Sequence, residues 1–132
     1  MKPVGLTLLA GALLLAGCAS EAPRIEHEHS YALEWIGERP LVDRSGMTMT
    51  LGADGRAYGN AGCNHWFASY TLQGQSITFG PVGRTRKLCV EALMEQEQRF
   101  IDTLPKIQRW DISPMGQLRL WPAEDKPLRF WP

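Results

Sequence analysis

Neither sign of charge dominates this chain: 14 Lys and Arg stand against 14 Asp and Glu in 132 residues. With no basic field to follow a phosphate backbone, nucleic acid is excluded as a partner. Long apolar runs are also missing. Residues 6–16 form an apolar stretch that falls short of the roughly 20 residues a membrane-spanning helix needs. Ser45, Ser69, Ser76 and Ser113 stand in no nucleophile motif. Glu95 and Glu97 fall on different faces of a helix, so they cannot work as a paired carboxylate site. His27, His29 and His65 make at most an adventitious metal site, so no metal is expected. Together these gaps leave no recognisable reactive constellation, and the chain reads as non-catalytic.

Cysteine is scarce, with three residues, and the first is the most telling. Lys2 gives a short positive start, residues 4–15 are apolar, and small residues precede Cys18 in Leu15-Ala16-Gly17-Cys18. The pattern resembles a bacterial lipoprotein signal. The resemblance implies cleavage after residue 17, with diacylglyceride and fatty acyl groups on Cys18 and no other cofactor. Ala19 follows where an aspartate would favour the inner membrane, which implies a periplasm-facing anchor in the outer membrane. A plain secretory signal is the alternative, and it leaves Cys18 as a stray thiol. Residues 18–30 mix Glu21, Pro23, Arg24, Glu26 and Glu28 without periodicity, as a flexible tether would. The globular domain is expected over residues 31–132, enough for one modest core.

Cys63 and Cys89 then remain as an even pair in an oxidising compartment, and a disulfide between them is expected. Closing that loop would stabilise a small domain by roughly 3 to 3.5 kcal/mol. Two buried free thiols are the alternative reading.

Short alternating segments separated by turn residues predict a mainly β chain. Met47, Met49 and Leu51 alternate with threonines before the Asp54-Gly55 turn into 56–59. Trp66, Ala68, Tyr70 and Leu72 share one face of the next strand, and Gln73-Gly74-Gln75 turns it toward Ile77 and Phe79. Further strands follow at 106–113, 117–121 and 128–131. Residues 90–104 break this meander: Val90, Leu93, Met94, Phe100, Ile101 and Leu104 recur at helical spacing, and Pro105 ends the run. Glu91 suits the helix N-terminus, although no capping side chain precedes it.

The elements Gly59-Asn60-Ala61-Gly62-Cys63-Asn64, Tyr70-Thr71-Leu72, Ile77-Thr78-Phe79-Gly80, Thr85-Arg86-Lys87-Leu88-Cys89 and Met94-Glu95-Gln96-Glu97 occur in that order. Together they resemble the META domain family of HslJ-like bacterial lipoproteins. The resemblance implies a small antiparallel β-barrel of lipocalin-like topology with one α-helix packed against it. It also implies a stress-related or protein-interaction role in the envelope, with no enzymatic activity.

Two surfaces are candidate sites. Gly62 and Asn64 define a turn that is either a structural corner or a binding loop. Glu97, central on the apolar arc of the helix, should face the barrel and clamp either the Arg86 loop or the 62–64 turn, with Arg86 and Arg84 as candidate cations. The second is Arg119, Trp121, Arg129 and Trp131, expected to point outward and to stack guanidinium on indole across the last two strands. A surface of this kind suits a protein partner or lipid head groups. A carrier of a small apolar ligand inside the barrel is the alternative function. The large inward set Met47, Met49, Trp66, Tyr70, Phe79 and Phe130 argues for a filled interior instead.

Overall fold

The computed structural model describes residues 1–7, 10–12, 22–42 and 45–132. Cys18 and the residues flanking it, Ala19 included, lie outside the described residues.

Ten strands and one helix make up the described fold: β1 (Ser30–Ile36), β2 (Arg39–Pro40), β3 (Thr48–Leu51), β4 (Arg56–Asn60), β5 (His65–Gln73), β6 (Ser76–Phe79), β7 (Gly83–Arg84), α1 (Glu91–Thr103), β8 (Ile107–Ile112), β9 (Leu118–Pro122) and β10 (Leu128–Trp131). Neighbours in the order β1-β3-β4-β5-β6-β8-β9-β10 pair antiparallel, and β10 pairs back to β1. The result is a closed eight-stranded up-and-down barrel, with β2 and β7 as short additions on β1 and β5. The expected mainly β barrel with one helix is therefore borne out. Closure matters physically, since it leaves none of the eight strands with an open sheet edge.

Strict alternation builds β5, where Trp66 and Ala68 are buried and His65, Phe67 and Ser69 are exposed. The helix also lies where its spacing predicts, and a short 3-10 turn, Leu104–Lys106, carries it into β8. Val90 departs from expectation: it precedes the helix and is exposed. The pattern reading missed β1, where the register against β10 shifts between Leu33 and Trp35. Such a bulge changes the phase of burial, so Tyr31 and Leu33 are followed inward by Ile36 rather than Trp35.

Packing fills the barrel from both ends. Met47, Met49, Trp66 and Phe130 of the expected inward set are at most 1% exposed, and Phe79 is also buried. Tyr70 is only half-buried, because its hydroxyl reaches the end of the barrel to donate to the Gly52 carbonyl and stands 2.9 Å from His27 Nδ1. The helix closes the opposite end, with Phe100 edge-on to Trp66 at 5.3 Å. Gln96 secures it by accepting from the Val42 amide at 2.7 Å.

The folded domain begins earlier than Tyr31. Ile25 is buried in the core, and the Glu26 amide donates to the Tyr31 hydroxyl at 2.9 Å. Glu28 donates its amide to the Leu51 carbonyl and accepts from the Ala53 amide through its carboxylate. Residues 25–29 are thus a strap across the turn joining β3 to β4, and the expectation of a loose tether fails for them. Alternating patterns could not show this, since a single apolar side chain carries the strap's burial.

Candidate functional site

The Gly-Cys-Asn turn joins β4 to β5 beside the helix, and each of its residues has a geometric task. Gly59 lies beneath the Trp66 indole, whose Nε1 donates to the Thr48 carbonyl at 3.0 Å. A Cβ on Gly59 would collide with that carbonyl. Asn60 Oδ1 then accepts from the Gly62 amide at 2.7 Å, and Gly62 takes a φ of +105° that side chains disfavour. Cys63 is disulfide-bonded to Cys89 with Cα atoms 6.0 Å apart, which fastens the turn to the segment that leads into α1.

Asn64 is the hub. Its amide and its Nδ2 each donate to Glu97, at 2.8 Å to Oε1 and 2.8 Å to Oε2. Nδ2 also donates to the Lys87 carbonyl at 3.0 Å, while Oδ1 accepts from the Lys87 amide at 2.6 Å and the Thr85 hydroxyl at 3.0 Å. A primary amide offers two donors and two acceptor positions, so this side chain has nothing left to offer a ligand.

Glu97 is fully buried, and its second oxygen also receives Arg84 Nη1 at 3.2 Å. The clamp on the 62–64 turn is present as expected, but its cation is Arg84 and not Arg86. Pairing of β7 with β5 sets Arg84 opposite Trp66, at the barrel wall nearest the helix. Arg84 then spans to Gln98 with Nη2 at 2.7 Å, whereas Arg86, beyond the paired residues, is exposed. An unpaired carboxylate at this depth would cost several kcal/mol, and three donors to two oxygens offset that cost.

Next to this knot an open groove of about 670 Å³ runs between α1 and the 82–88 segment. Phe67, Val82, Leu88, Met94 and Ile101 give it apolar walls, and Arg84, Arg86 and Lys87 give it positive charge. Sequence reading named Arg86 but did not assemble this groove, because its walls come from β5, the loop after β6 and the helix.

The C-terminal surface differs from expectation in its partners. Leu118, Leu120, Leu128 and Phe130 are fully buried, as the alternation predicts. The guanidinium-indole stack, however, joins β8 to β9: Arg109 lies 4.6 Å and Arg119 5.3 Å from the Trp121 ring. Asp111 on β8 accepts from Arg119 Nε at 2.7 Å, Arg119 Nη2 at 2.8 Å and Trp121 Nε1 at 2.9 Å. Across the other side of β9, Arg119 faces Arg129, a like charge, so it turns to Asp111. Trp131 pairs with Ala32 of β1 instead of joining the stack. Burial raises the Asp111 carboxyl pKa, but the bonds from Arg119 and Trp121 and the charges of Arg119 and Arg109 outweigh it and leave the pKa low.

The META domain family profile matches residues 24–132. The chain belongs to the META domain family. Its matched span begins next to Ile25, the first buried residue of the strap, so family and packing agree on where this META domain starts. The structure of a protein from Burkholderia xenovorans superposes with a TM-score of 0.67 at 25% identity, over 84% of this chain and 92% of that one. A second protein structure gives 0.60 at 22% identity, over 77% and 86%. A DUF4847 family protein from Bacteroides vulgatus gives 0.50 at 18%, over 65% and 58%. The latter two are likenesses of fold alone. No curated protein matches the chain. Among the described residues no helix is long and apolar enough to cross a membrane, and no three His, Cys, Asp or Glu side chains converge as metal ligands.

Proposed function

We propose that this META domain is a non-catalytic, stress-related or protein-interaction module, held by lipid on Cys18 at the periplasmic face of the outer membrane. The observation that carries the non-catalytic part is the saturation of Asn64 and Glu97. The residues that look most like a site are spent on one another, fastening turn, strand and helix. The leader pattern ending in Cys18 supports the anchor.

A carrier of a small apolar ligand is the weaker reading. Its ligand would have to displace Trp66, Phe130, Met49 and Leu120, all fully buried. Two experiments test the proposal. Radiolabelled palmitate should enter the wild-type chain and not Cys18→Ala, with the label in the outer-membrane fraction; equal labelling of both defeats the anchor. Native and denatured mass spectra of the periplasmic chain should agree, and a small mass lost on denaturation would restore the carrier.

A further inference from the structure

The groove beside the Asn64 knot shares Asn64, Arg84 and Thr85 with it, but its apolar side chains and those of Arg86 and Lys87 take no part in those bonds, and its composition is unusual for this molecule. Phe67 is 50% and Leu88 87% exposed, and the cross-strand partner of Phe67, Tyr58, is 45% exposed. Exposed apolar side chains so gathered mark contact surfaces more often than chance exposure does. Charge sharpens the case. Arg84 is committed to Glu97 and Gln98, but Arg86 and Lys87 are exposed on the same wall, and no acidic residue lines the groove. In a chain with equal numbers of both signs, this local excess selects an acidic ligand.

Shape favours a chain over a compact molecule. One wall is the 82–88 segment, and the other presents Met94 and Ile101, two helical turns or about 10 Å apart. A peptide in the extended polyproline II conformation brings side chains three positions apart onto one face at about 9 Å. An open trough of this kind does not enclose a small molecule as binding cavities do.

Position disfavours the membrane as occupant. The strap delivers the N-terminus to the barrel end that carries the turn from β3 to β4, whereas the groove lies at the helix end. From Cys18 to Ile25 the chain reaches at most about 25 Å. The barrel wall, nine residues long in β5, adds a comparable distance of about 25 Å once tilted. A lipid anchor on Cys18 therefore enters at the turn end, and the groove reaches the bilayer only when the tether is drawn out along the full height of the barrel.

We propose that the groove between α1 and the 82–88 segment docks an extended, acidic peptide segment with apolar side chains, belonging to a periplasmic protein. The inference rests on the interaction-module reading and names its surface. The test uses the full chain in its own envelope, with the photo-reactive residue benzoylphenylalanine placed in turn at Leu88, Met115 and Trp131. Protein adducts from Leu88 should map to acidic segments. Their yield should fall about tenfold when Arg86→Glu and Lys87→Glu are combined, with the thermal midpoint unchanged because both side chains are exposed. Phospholipid adducts at Leu88, protein adducts on neutral or basic segments, or indifference to the charge reversal would overturn the peptide groove. Protein adducts only at Met115 or Trp131 would overturn the groove and leave the interaction module standing. Absence of protein adducts at all three positions would defeat both.

Discussion

Asn64 and Glu97 show how a few polar atoms can set a protein's geometry without reacting. Glu97→Gln keeps the shape but exchanges one acceptor for a donor, which then faces either the Asn64 amide or Asn64 Nδ2 and Arg84 Nη1. We expect a loss of about 2 to 4 kcal/mol in urea unfolding, with the barrel retained by circular dichroism. A loss below about 0.5 kcal/mol would mean the pair is replaceable by water. Gly59→Ala probes the same corner differently. Its Cβ would strike the Thr48 carbonyl, on backbone that cannot move without breaking the Trp66 bond, so destabilisation of about 2 to 3 kcal/mol is expected. Glu97 was legible in the sequence because helical spacing placed a carboxylate at the centre of an apolar arc. Choosing Arg84 over Arg86 was not legible, because that choice depends on a two-residue strand pairing with β5.

Elements in this fold are joined by a few fastenings each, and two of these can be cut. The disulfide holds the 62–64 turn to the start of α1, a helix whose first turn has no side-chain cap. Reduction should destabilise the domain by roughly 3 kcal/mol and free the helix start first, read as faster hydrogen exchange over 87–94 than over β9. Uniform exchange throughout would show that the bridge is not what holds the helix start. At the other end the strap rests on Ile25. Ile25→Ala should cost about 2 to 3 kcal/mol, whereas a substitution in an unpacked tether would cost almost nothing. Cysteine arithmetic made the bridge readable from the sequence. The strap was hidden because charged residues surround its one buried side chain, and β1 because its bulge interrupts the period that identifies a strand.

For the whole molecule, closure of β1 on β10 makes the two ends of the domain interdependent, so local gains in stability are shared by the whole barrel. The Asp111 cluster lies within this closed structure and ties β8 to β9, two strands from the closing pair. Burial raises the Asp111 pKa, but the bonds from Arg119 and Trp121 and the two arginine charges bring it below the ordinary carboxylate value. A carboxyl lowered in this way contributes stability above its unfolded pKa of about 4, and that contribution disappears as pH falls through the lower folded value. Unfolding free energy should therefore be level from neutral pH to about pH 5 and then decline into acid. Asp111→Asn should lose about 1 to 2 kcal/mol at neutral pH and show a shallower acid decline, so that the two curves converge once the pH has fallen through the lower folded value. Parallel curves across that range would mean that Asp111 acts through packing alone, and that its charge does not hold β8 to β9.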